Sequence, residues 1–213
     1  MKRLSMGTAL AAAILASCGP KTLALPADPV DRAATCGVVA ASEARSATPN
    51  VNAPLSLAAQ GRIIHHALLA GAEGGEFSAD KAAAVSRRMN ELQETITEGK
   101  WKELKQPCQQ AYPDAARSDV TLPGDRFDAQ LGCDELADFM TTALASQEMQ
   151  YGNELGEYHA LQATLDQLLG PGLRSRAGRA LADQMEARRK ALAEIARAGS
   201  PVAVMGQCVA RFG

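Results

Sequence analysis

The chain has 213 residues, 46% of them hydrophobic and 22% charged, with 22 Lys and Arg facing 24 Asp and Glu. Normal apolar content and a net charge of -2 exclude a chain disordered throughout, and they leave no basic surplus for nucleic acid. Only the extreme N-terminus carries a long uncharged apolar run, which excludes a polytopic membrane protein.

Lys2 and Arg3 precede an uncharged stretch from Met6 to Ala16. That stretch is shorter than the ~20 residues a spanning helix needs. A basic start, a short apolar run and small residues at its end form the pattern of a secretory signal peptide. Leu15-Ala16-Ser17-Cys18 places an aliphatic residue and two small residues before a cysteine. This order resembles the lipobox of bacterial lipoproteins, and the resemblance covers about the first 18 residues. It implies removal of residues 1–17 and acylation of both the Cys18 sulfur and the new N-terminus. Several acyl chains, at ~0.8 kcal/mol per buried CH2, anchor a protein stably. Gly19 rather than Asp follows the cysteine, which by resemblance to enteric sorting rules favours the outer membrane over the inner. The mature chain then has 196 residues, faces the periplasm, and carries a net charge of -4 once Lys2 and Arg3 are gone. Residues 18–28, with Pro20, Pro26 and the adjoining Pro29, read as an extended tether.

The rest reads as helices. Asp28 caps a helix with Pro29 at its first position, running to about Ala47 and carrying Cys36. A second spans about Leu55 to Leu69, and Gly71, Gly74 and Gly75 turn the chain. Ser78 caps a third, with Ala82, Val85, Met89, Leu92 and Ile96 on one stripe and Gly99 as its stop. Trp101, Leu104 and Cys108 share a face of a short fourth helix. Residues 113–132 read as a polar linker. Beyond it, Cys133, Leu136, Met140 and Ala143 line one helix, and Tyr158, Leu161, Leu165 and Leu168 the next. Gly170-Pro171-Gly172 is read as a turn. Leu181, Met185, Leu192 and Ile195 line a helix stopped by Gly199, and Val202, Met205 and Cys208 face inward on the last.

With Cys18 set aside, four cysteines remain, an even number suited to disulfides in an exported protein. Cys36 lies 72 positions before Cys108, and Cys133 lies 75 before Cys208. Gly99 and Gly199 each stand nine residues before a cysteine, and Tyr112 and Phe212 each follow one by four. Arg88, Leu92 and Glu94 match Arg188, Leu192 and Glu194, while His66-Ala67-Leu68 matches His159-Ala160-Leu161. The expected fold is therefore all-α. It comprises two tandem four-helix units, 29–112 and 133–213, that arose by internal duplication. Each is closed by its own bridge, Cys36–Cys108 or Cys133–Cys208. The alternative pairs Cys108 with Cys133 and Cys36 with Cys208. Eight aromatics in the whole chain imply cores of Ala and Leu, which bury little area each and gain from covalent closure.

Candidate sites are few. His66 and His159 are equivalent under the repeat and are the candidate ligands of a metal, although Glu-x-x-His and H-E-x-x-H are absent. Arg174, Arg176 and Arg179 form a positive patch read near a helix start, where it opposes the dipole and offers a surface to an acidic partner. Met89, Met140, Met185 and Met205 read as core filling, and Trp101 as packed inward between solvated Lys100, Lys102 and Lys105. There is no G-x-S-x-G, Walker motif or dinucleotide fingerprint. The expected function is a non-enzymatic binding, adaptor or assembly factor of the envelope. It is held to the membrane through Cys18, uses no cofactor, and meets an envelope protein partner. The alternative is a helical ligand or metal carrier using His66 and His159.

Overall fold

The computed structural model describes residues 23–50, 52–117 and 119–213. The leader, Cys18 and the rest of the tether up to residue 22 lie outside the described residues. Among the described residues the chain is all-helical.

Helix α1 (Pro29–Ser46) starts where the Asp28 carboxylate accepts from the Asp31 amide at 2.9 Å. Pro29 costs nothing there, because the first helical N–H has no partner within the helix. Ser56 caps α2 (Leu57–Gly71) and Ser78 caps α3 (Ala79–Glu98), each accepting from the amide three residues on. A 3-10 turn, Trp101–Leu104, leads into α4 (Lys105–Ala111), and one more turn, α5 (Pro113–Ala116), follows. Helix α6 (Arg126–Leu144) begins inside the expected linker. Asp125 accepts from the amides of Phe127 and Asp128, so residues 126–132 are helical rather than connecting. The remaining helices are α7 (Glu148–Arg176), α8 (Leu181–Ile195) and α9 (Pro201–Phe212).

Gly170-Pro171-Gly172 is not a turn; it lies within α7. Pro171 removes one helical donor, yet Leu165, Leu169 and Leu173 stay buried on either side and carry the helix through. Gly172 serves close packing instead: a Cβ there would stand 2.2 Å from the Phe127 ring. The chain turns later, at Gly178, whose φ of +97° suits glycine.

The buried stripes shift accordingly. Leu144 and Leu169 are buried where Ala143 and Leu168 were expected, and Leu168 is exposed. Leu181 and Met185 are exposed as well, and the buried residues of α8 are Leu192, Ala193 and Ile195 near its end. Met140 and Met205 are fully buried.

Helix α1 packs on α2 and α3, while α6 packs on α7, α8 and α9. Two disulfides join Cys36 to Cys108 and Cys133 to Cys208, tying α4 to α1 and α9 to α6. Each closes a loop of more than 70 residues, stabilising by ~4 kcal/mol in the chain-entropy model. One apolar core runs through both halves and includes Leu68 and Val85 with Leu136, Leu165 and Met205. Hydrogen bonds cross between the halves too. The Tyr151 hydroxyl donates to the Leu55 carbonyl at 2.7 Å, and the Phe77 amide donates to the Arg189 carbonyl at 3.0 Å. No helix among the described residues is long and apolar enough to cross a membrane.

Candidate functional site

Small residues on α1 and α3 border a wide groove. Ala41, Ser42, Ala83 and Ser86 cannot fill the space between these helices, and a groove of about 1120 Å3 results. Its apolar wall comes from Ile63 and Ile64 of α2, Phe77, Met89 of α3 and Phe139 of α6. Phe77 and Phe139 meet edge to face with ring centroids 5.6 Å apart, which links the wall to the second half of the chain. Trp101 is half-buried and lines the groove, and the Lys102 ammonium sits 5.8 Å from its ring centroid. Trp101 therefore packs inward, and the lysines do flank it.

Among the described residues the ionisable groups lining the groove are Arg45 and Arg87, and no carboxylate lines it. Arg45 donates to the Ala53 carbonyl at 2.5 Å. Arg88, next along α3, faces away and holds Asp31 at 2.6 Å and Glu91 at 2.7 Å. Arg87 makes no ion pair among the described residues.

A second cavity of about 400 Å3 borders the Cys36–Cys108 bridge. His66 and Tyr112 line it and meet edge to face, 5.3 Å between ring centroids. Burial pushes the His66 imidazole down to about 3, helped by the neighbouring His65, so the ring is neutral at physiological pH. Its Nδ1 is buried without a hydrogen-bond partner. Around the rim, Lys105 pairs with Glu43 at 2.5 Å and Arg117 with Asp119 at 2.8 Å, so most of that charge is already neutralised.

The structure does not bring His66 and His159 together. His159 is exposed on α7 and lines neither cavity, whereas His66 is buried on α2. Among the described residues no group of three or more His, Cys, Asp or Glu side chains is placed to hold a metal ion. The arginine patch also sits differently from its expected place. Arg174 and Arg176 occupy the last turn of α7, where cations complement the helix dipole. Arg176 is engaged by Asp125 at 2.9 Å and stacks on Phe127, while Arg174 and Arg179 are exposed.

One buried polar cluster had no local signature in the sequence. Arg188 of α8 bridges Asp134, at 3.0 Å, and Glu135 of α6. Burial outweighs the guanidinium and pushes the Asp134 carboxyl up to about 6. The groove was missed as well. Its available signal was the run of small residues at Ala40-Ala41-Ser42 and Ala82-Ala83-Ala84, which reads equally well as close helix packing.

No family model matches the chain, and neither a curated protein nor a solved structure matches it.

Proposed function

We propose that this chain is a lipid-anchored protein of the bacterial envelope that works by non-covalent binding, as an adaptor or assembly factor, with the α1–α2–α3 groove as its binding surface. The groove carries the reading. A monomer gains nothing from leaving Ile64, Met89 and Phe139 half-covered along an opening of about 1120 Å3 unless something occupies it. The lipobox at Leu15-Ala16-Ser17-Cys18 supports the anchor, and two disulfides suit an oxidising compartment. The anchored protein faces the periplasm, on the outer membrane, and meets both the bilayer and an envelope partner. Tandem duplication of a four-helix unit, 29–112 and 133–213, accounts for the paired bridges. It also accounts for Arg88 and Arg188, each of which grips the cysteine-bearing helix of its own half.

Two measurements in cells test this. Labelled palmitate incorporates into the chain and is lost with Cys18→Ser; equal labelling of both forms sinks the anchor. A photo-crosslinking side chain at Ala83 gives adducts that one at exposed Ala163 of α7 does not. Equal or absent adducts at both positions sink the groove as the binding surface.

A further inference from the structure

We propose that the guest of the α1–α2–α3 groove is an anionic amphiphile, with an acyl chain along the apolar wall and its acid head at Arg87. This rests on the groove being the binding surface.

The wall is the first part of the argument. Ile63, Ile64, Phe77, Met89 and Phe139 offer a long apolar surface with no buried charge to desolvate. At about 1120 Å3 the opening has room for an acyl chain together with its head group.

Charge is the second part. Acidic residues outnumber basic ones in this chain, 24 to 22, yet the groove lining holds two arginines and no acid. Glu91, the carboxylate nearest in sequence to Arg87, pairs with Arg88, which also holds Asp31. Arg87 is thereby left facing the groove without an ion pair among the described residues. Its planar fork of donors fits a carboxylate or a phosphate in two parallel hydrogen bonds. Asn90, three residues on and hence on the same helix face, also lines the groove and supplies an amide donor to the same head group. A neutral guest can accept hydrogen bonds from both groups but leaves the Arg87 charge unpaired.

A free long-chain acid and the headgroup of an anionic phospholipid share this chemistry. The probes are cis-parinaric acid, its methyl ester, and phosphatidylglycerol vesicles carrying a fluorescent acyl chain. The protein is the full exported chain with Cys18→Ser, so no acyl group of its own competes. The acid binds about tenfold or more tighter than the ester, a difference of ~1.4 kcal/mol. Arg87→Gln brings the acid to the level of the ester and leaves the ester unchanged. Ala83→Trp abolishes binding of both, and Asn90→Trp at an exposed position provides a second block should the first not fold. Transfer of the fluorescent phospholipid onto the protein identifies the bilayer as source; acid binding without transfer identifies the free acid.

Equal affinity for acid and ester, or an acid preference that survives Arg87→Gln, overturns the proposal. If Ala83→Trp still abolishes that binding, the groove stands as a binding surface and only the anionic guest fails. Binding of neither probe, the result expected of a groove filled by a protein helix, also overturns it. The Ala83 crosslink in cells then decides separately whether the groove binds anything.

Discussion

His65 donates from Nε2 to the carbonyl of Ala196, 2.8 Å away and 131 residues along the chain. A carbonyl only accepts, so Nε2 carries the proton and Nδ1 is left as a buried lone pair without a donor. The bond joins α2 of the first half to the end of α8 in the second. His65→Leu keeps the volume and orphans the Ala196 carbonyl, for a loss of about 1–3 kcal/mol. Urea unfolding with the disulfides intact measures it, and a change below ~0.5 kcal/mol contradicts the link.

The buried imidazoles also set an acid limit. An unfolded histidine takes up its proton near ~6.5, while His66 in the fold waits until about 3. The unfolded chain therefore binds more protons in that window, and stability falls as pH drops from about 6.5 towards 3. Asp134 acts in the opposite sense. Its carboxyl is raised to about 6, so the folded state takes up a proton first and gains stability as pH falls towards the ordinary carboxylate range. Raised Glu135 works the same way. His66→Phe removes one of the acid penalties and leaves the carboxyls alone. Between pH 7.5 and 4.5 the variant should lose ~2–3 kcal/mol less than the parent chain. Unfolding curves at the two pH values give the comparison, and identical pH slopes would falsify the assignment of His66 as a neutral buried group.

The two bridges should not open together. Cys133 and Cys208 are both fully buried, while Cys108 is slightly exposed and the Cys36–Cys108 bridge borders a cavity. Thiol–disulfide exchange needs an attacking thiolate to reach sulfur. Under mild reductant without denaturant, alkylation and peptide mapping should find Cys36 and Cys108 modified first. Earlier modification of Cys133 and Cys208 is the contrary result. Complete loss of either bridge costs ~4 kcal/mol.

Two glycines in one helix should respond in opposite directions. A methyl group at Gly172 meets the Phe127 ring, so Gly172→Ala overpacks the α6–α7 contact and costs about 1–3 kcal/mol. Gly156 has open space where its Cβ would be, so Gly156→Ala gains about 0.5–1 kcal/mol through helix propensity alone. Thermal melts at one pH compare them; a stabilised Gly172→Ala protein contradicts the close approach.

What the sequence determined by itself was largely local. Asp28 and Ser78 were legible as caps because a short side-chain acceptor satisfies free amides, whatever packs later; Ser56 caps in the same way but was read as lying inside its helix. The all-helical class followed from apolar spacing, and the bridge pairs followed from the order of four cysteines around repeated landmarks. Asp125 shows the margin: it lay in a stretch read as a polar linker, and the structure makes it the cap of α6. Only the tertiary structure decided which faces are covered. Leu168 and Leu169 are equally apolar and lie ~100° apart on α7, and the placement of neighbouring helices buries one and exposes the other. His66 and His159 share a local sequence, but one lies against Tyr112 and the other in solvent. The groove is the clearest case. Small residues on α1 and α3 permit either close contact or a gap, and the choice depends on how far apart the rest of the core holds those helices.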